Sequence, residues 1–185
     1  MLTAITLAAQ RDVLLDDGRA GLELPLPDRP TIAARHVRPG QPIAVVLLRD
    51  GEVLLEEANW GVAPRHVAEP RKFAKRYRTH RVFVERLGTS RVFCPLWRRG
   101  QRCAIPFSGY DDFVRGEGAR LVRAPAPVAW GAGVYRAPAQ PDGSDLHAAL
   151  VLDDGAPMLV PGEALVEWLD PATEPDAALS LLRGL

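Results

Sequence analysis

The sequence predicts a strand-rich α+β fold, in which a twisted or barrel-like sheet carries a few short helices. Three observations lead there. Short apolar runs, several of them β-branched, recur along the chain between turns rich in Gly, Pro and Asp. The pair Asp50-Gly51 stands between the apolar runs 43–48 (IAVVLL) and 53–55 (VLL), the strongest short-range sign of a hairpin. Stretches with helical spacing are few and short. At 185 residues the chain suits one domain, residues 1–185, large enough to bury a core without disulfides.

Taken in order, residues 1–9 read as a buried first strand, followed by a turn at Asp16-Asp17-Gly18. Residues 22–39 hold four prolines, each of which fixes φ and lacks a backbone donor, so this is extended or looping chain. The 43–48 and 53–55 hairpin follows, and Asn59-Trp60-Gly61-Val62-Ala63-Pro64 ends its second strand in a tight aromatic turn. Residues 65–80 are polar, with Phe73 and Tyr77 four apart. That spacing suits a short amphipathic helix, and a mobile basic loop is the alternative. Residues 82–84 read as a strand. Thr89-Ser90 would cap a helix over 91–99, with Pro95 in its first turn and Gly100 as its end. Further strands are expected at 103–106, from 109 to 113, and at 121–123, 128–135 and 147–152. Met158-Leu159-Val160-Pro161 leads into a helix over 162–169, and 177–182 forms a last turn.

The formal net charge is zero, which alone argues against a polyanionic partner. The distribution points the other way. Residues 65–102 carry twelve Lys and Arg against two acids, Glu69 and Glu85, leaving eleven bases against twenty-one acids elsewhere. Such asymmetry implies a basic face toward a polyanion, with a solvated surface laced by salt bridges as the rival reading. Within residues 81–113, arginines 81, 86, 91, 98, 99 and 102 interleave with aromatics, and both cysteines fall in this stretch. It is the expected ligand site. Two cysteines form no disulfide framework in a chain of this size. Residues 1–9 lack the basic start and apolar run of a signal peptide, and no run reaches the 18 apolar residues of a membrane span. These features imply a cytoplasmic protein.

Several phrases hold an order. They are Arg35-His36-Val37-Arg38-Pro39-Gly40, Trp60-Gly61-Val62-Ala63-Pro64, Val84-Glu85, and Thr89-Ser90-Arg91 with Phe93 and Pro95-Leu96-Trp97. After them come Arg102-Cys103-Ala104-Ile105-Pro106, Gly109-Tyr110, and Pro157-Met158-Leu159-Val160-Pro161 with Trp168. In sequence and approximate spacing, from about residue 35 to 169, they resemble the SRAP family (SOS-response-associated peptidases, the abasic-site-processing proteins). The resemblance implies the family's fold and a part in the DNA-damage response. In the family, a cysteine directly after the initiator Met attacks the aldehyde of an abasic site in single-stranded DNA with its amine and thiol together. An asparagine, a glutamate and a histidine position the sugar and move protons.

This chain departs at each of those positions. Residue 2 is Leu2, so the aminothiol is missing. Arg81 stands at the asparagine position and Phe83 at that of the arginine two residues on. Asp112 replaces the glutamate, and Asp153-Asp154-Gly155-Ala156-Pro157 occupies the place of the histidine. What the resemblance keeps is binding: Arg91 matches an arginine on the DNA backbone, and Trp60 with Pro64 matches the turn lining the cleft, with Arg38 and Arg81 beside them. Trp60 has core packing as its rival role, and Arg91 an ion pair with Glu85.

Asp112 is a residual acid–base group or a plain surface acid. Cys94, set among arginines that favour a thiolate, is the reactive thiol if there is one, while Cys103 in CAIP reads as buried and inert. His36, His66, His80 and His147 show no metal-ligand spacing, and no cofactor is implied. The expected function is therefore non-covalent binding of single-stranded or damaged DNA. The alternatives are an enzyme using Cys94 and an interaction protein whose basic face meets an acidic partner.

Overall fold

The computed structural model describes residues 2–7, 36–114, 118–125, 128–138 and 145–183. The turn expected at Asp16-Asp17-Gly18 and most of the proline-rich stretch 22–39 lie outside these residues.

The strands are β1 (Leu2–Leu7), β2 (His36–Val37), β3 (Pro42–Arg49), β4 (Glu52–Trp60), β5 (Arg81–Phe83), β6 (Arg102–Val114), β7 (Gly118–Arg123), β8 (Ala129–Arg136), β9 (His147–Asp153) and β10 (Ala156–Pro157). Among the described residues four α-helices punctuate them: α1 (Pro70–Tyr77), α2 (Cys94–Arg98), α3 (Leu165–Leu169) and α4 (Pro175–Arg183). Following the pairings from β6 to β8, β9, β4, β3 and back to β6 returns to the starting strand. The sheet is a ring, and an uneven one. β3 and β4 share eight residue pairs, but β3 meets β6 only at Val46↔Ala104 and Leu47↔Cys103, and β4 meets β9 only at Asn59↔His147 and Trp60↔Ala148. β1 and β7 lengthen the ring beside the far end of β6, and β2 lies on β1.

Closure turns alternate residues of each ring strand inward, and on β3, β6, β8 and β9 outward positions are apolar as well. Ile43, Val45 and Leu47 of β3, Cys103, Ile105 and Phe107 of β6, and Leu150 and Leu152 of β9 fill the interior. Their neighbours Val46, Ala104, Ala149 and Val151 face outward into a second core, formed with Trp97 of α2, Trp168 of α3 and Ala178 of α4. The interior has no spare volume along β8. A Cβ on Gly131 would stand 2.7 Å from Leu150 Cδ2 and 2.8 Å from Phe107 Cε1, and one on Gly133 would stand 2.8 Å from Cys103 Sγ.

The hairpin at Asp50-Gly51 forms as expected, with Arg49↔Glu52 in register and both turn residues in the left-handed region, φ 54° and 83°. Its second strand runs to Trp60, where the expected aromatic turn ends it. The polar pair Glu56-Glu57 stays in the ladder, and Glu56 takes two hydrogen bonds from Arg49, at 2.7 and 3.0 Å.

A larger correction concerns 103–106 and 109–113, which are one 13-residue strand, β6. Pro106 would interrupt a doubly paired strand. On the β3–β1 edge, however, it falls after Ala104, the last partner of β3, and before Phe107, the first of β1, where there is no ladder bond to lose. The helix expected over 91–99 covers only Cys94–Arg98, because Ser90 Oγ caps a turn one step earlier, accepting from the amides of Val92 and Phe93 at 3.3 and 3.4 Å. Residues 65–80 contain a true helix, α1, with Pro70 in its first turn.

A methyl group added to the ring interior tests this packing. Gly131→Ala is expected to cost about 1–3 kcal/mol, the usual range for overpacking. It would be read as a lower urea midpoint at unchanged m-value. Gly162→Ala, whose Cβ would meet nothing within 4 Å, should leave the midpoint in place.

Candidate functional site

β4 and β5 run parallel to β9, and β9 runs antiparallel to β8, itself antiparallel to β6. The C-terminal ends of β4, β5, β6 and β9 therefore reach one rim of the ring. The starts of the opposed strands β1, β3 and β8 reach it too. Arg38, Trp60, Pro64, Arg81 and Asp112 all lie on elements that arrive there. Residue 2 pairs with Asp112 and Ala4 with Asp111 across the β1–β6 ladder. The two positions that the sequence matches to nucleophile and acid thus face each other, occupied by leucine and aspartate.

Beside them sits a pair the sequence did not reveal. His36 Nε2 lies 3.2 Å from Asp111 Oδ2, with His36 on the exposed side. No spacing rule could have found it, since β1 is the strand that brings β2 against β6. Asp112, half-buried, helps to raise the Tyr110 phenol above its ordinary pKa, after the larger effect of burial.

A groove of about 540 Å³ opens where β5 and β9 end, lined by Arg81, Phe83, Glu85, Asp153, Asp154 and Gly155. Arg81 forms part of its wall. Burial, with a smaller contribution from Arg78, lowers its guanidinium pKa. Phe83 stands exposed on the lip. The Asp154-Gly155 turn, φ 44° and 85°, joins β9 to β10, and Asp153 and Asp154 line the groove together with Arg81.

Once these positions are known, the alternatives for Trp60 are decided in favour of the core and two expectations change. Trp60 is fully buried, and its indole N–H donates to the His80 carbonyl at 2.8 Å while its ring meets the His80 imidazole edge to face. It is a wall of the core, with no face open for a base. Arg102, grouped with the ligand-facing arginines, is 1% exposed. Its Nε donates to the Trp168 carbonyl at 2.7 Å and its Nη2 to the carbonyls of Asp170 and of Thr173, the latter at 2.8 Å, while the guanidinium lies over Trp97 and Trp168. Residues 81–113 are consequently a strand, a short helix and a second strand, and their arginines do not form one face. Arg91 and Arg38 are exposed, Pro64 is half-buried, and Arg91 makes no ion pair with Glu85 among the described residues.

Cys94 is half-buried at the first position of α2, whereas Cys103 is fully buried and its thiol pKa pushed far up by desolvation. Among the described residues no three His, Cys, Asp or Glu side chains gather to hold a metal ion, and no helix is long and apolar enough to cross a membrane.

The turn after Trp60 seals the ring. Asn59 N donates to Leu146 O at 2.8 Å, Gly61 N to Ala148 O at 2.9 Å, and His147 Nδ1–H to Gly61 O at 2.7 Å. Gly61 is required here: its φ is 134°, and a Cβ would lie 2.6 Å from that of Ala74 in α1.

Comparison with known proteins follows this geometry. The sequence model of a family described as SOS response associated peptidase (SRAP) matches residues 26–185. No curated protein matches the chain. Solved structures share the fold. A protein from Bordetella bronchiseptica aligns with TM-score 0.68 at 16% identity, over 97% of this chain and 92% of its own. A Bacteroides thetaiotaomicron protein aligns at 0.68 and 18% over 97% and 86%, and a phage-related protein from B. bronchiseptica at 0.69 and 17% over 98% and 87%.

His147 at the seam makes stability depend on pH. Burial is the main cause that lowers its pKa from the ordinary 6.5, against the raising effect of its bond to Gly61. The unfolded chain then binds a proton that the folded chain refuses. This contribution is complete above about pH 6.5 and is lost as pH falls through that value toward the folded pKa. Urea midpoints at pH 7.5 and 5.5 should show the loss, and His147→Asn should reduce it.

Proposed function

The chain belongs to the SOS response associated peptidase family, and from that membership we propose that it binds single-stranded, damaged DNA at the rim without forming a covalent link. The observation that carries this reading is the Leu2↔Asp112 pairing. Position 2 lies opposite Asp112 in the ladder, and a leucine offers no nucleophile. Asp112 remains the candidate for residual acid–base work. Its carboxylate ends one methylene short of a glutamate, roughly an ångström or more back, a displacement that reduces turnover more than binding.

The supports for strand binding are the exposed Arg38 and Arg91 and the half-buried Pro64. Arg81 in the groove wall adds positive charge, and the exposed Phe83 ring on the lip offers the stacking surface that buried Trp60 does not. The setting that fits is a cytoplasmic response to DNA damage.

Incubation with a single-stranded oligonucleotide carrying one abasic site tests the reading on two gels. A shift on the native gel that weakens with added salt, and no band surviving denaturation, is the expected result. A surviving band abolished by Cys94→Ser would replace the proposal with an enzyme acting through that thiol. No shift at either salt concentration would remove DNA as the partner.

A further inference from the structure

The rim itself is poor in net positive charge. Glu85, Asp153 and Asp154 line the groove with Arg81, and His36 is paired with Asp111, so a phosphate chain gains little from the groove. The positive charge is concentrated on α1. Arg71, Lys72, Lys75 and Arg76 on the helix, with Arg65 and Arg78 at its flanks, are all exposed, and the one acid among them, Glu69, is taken by Lys72. Ala74 is the helix's only buried residue, seated in the hollow left by Gly61.

At 100° per residue, Lys72 and Arg76 point away from Ala74. Arg71 and Lys75 flank it on one side, Phe73 and Tyr77 on the other. The two rings pack at 4.5 Å, the Arg76 guanidinium lies 5.5 Å from the Tyr77 ring, and Tyr77 is 58% exposed. Eight residues do not make a stable helix unaided, and like charges at i, i+4 (Arg71 and Lys75, Lys72 and Arg76) work against this one. Here it is held by its seat on the seam, with a propped aromatic ring amid cations facing outward.

We infer that α1 is the track for the strand flanking the rim: phosphates lie along Arg71, Lys75 and Arg76, and one base stacks on Tyr77. This rests on the single-strand reading above and gives that reading its affinity. A single-stranded nucleic acid fits better than an acidic protein because it uses both features, the cations through its phosphates and the ring through its bases.

Fluorescence anisotropy of a labelled oligodeoxythymidine, titrated with the full chain across a series of salt concentrations, tests it. The triple variant R71Q/K75Q/R76Q is expected to lower the slope of log affinity against log salt by about 2, from about 0.7 per contact. Tyr77→Ala is expected to weaken binding roughly ten-fold, and Tyr77→Phe to retain it. Because only Ala74 enters the core, all three should fold with the parent's cooperative melting transition. If the parent binds and the triple variant binds equally, the track is refuted while the rim reading stands. If the triple variant loses binding but Tyr77→Ala does not, α1 is a generic polyanion patch and the stacking assignment falls. If the parent does not bind at all, the single-strand reading itself fails.

Discussion

Closure of the ring between β4 and β9 is the constraint on which the rest of the structure depends. The seam has only two residue pairs, so side chains and turn atoms complete it: Trp60 to His80 from inside, His147 to Gly61, and Asn59 to Leu146. Opening it would expose Trp60, among the largest fully buried side chains of the molecule. A closed, filled ring has no room for a ligand in its middle. Binding is confined to the rim and to the connections that leave it, and the seam fixes where those connections start.

Arg102 does for the outer layer what the seam does for the inner one. The carbonyls at the end of α3 and beyond lack partners within the helix, and one guanidinium takes those of Trp168, Asp170 and Thr173. Its charge is kept despite burial: desolvation lowers its pKa, while Asp170 and Glu174 act against that. The Trp97 and Trp168 rings lie 5.5 and 5.9 Å from its centre, and Trp168 in turn donates to the Cys103 carbonyl at 2.8 Å. The C-terminal helices are thereby joined to β6, which pairs with four other strands of the sheet.

What the sequence made legible was local. The Asp50-Gly51 hairpin, the β-branched strands and the helical end at Gly100 follow from backbone rules that act over a few residues, and each stands where those rules put it. The order of short phrases carried the fold further, because the tight spots are fixed by residues such as Gly61. The errors share one cause. A run of arginines looks alike whether its members point to solvent, as Arg91 does, or into a carbonyl cage, as Arg102 does. Likewise Pro106 reads as a strand end until the β3–β1 gap beside it is known, and His36 has no visible partner until β1 brings it to Asp111.

The same distinction separates the two halves of the proposed binding surface. The rim is built by ring strands, whose inward and outward positions are both committed to packing, so its chemistry can change only at strand ends such as Leu2, Asp112 and Phe83. Within the connection from Gly61 to His80, residues 65–78 are under no such limit apart from Ala74. The connection leaves β9 where β4 stops and returns as β5 on the same edge, and within α1 only Ala74 must fit the core. Cations there can multiply without disturbing either hydrophobic core. That freedom accounts for a chain of zero net charge with its bases concentrated beside a rim lined mostly by carboxylates. Affinity for a polyanion can be placed on the connection, leaving the rim to discriminate by shape and by the few polar groups at its strand ends.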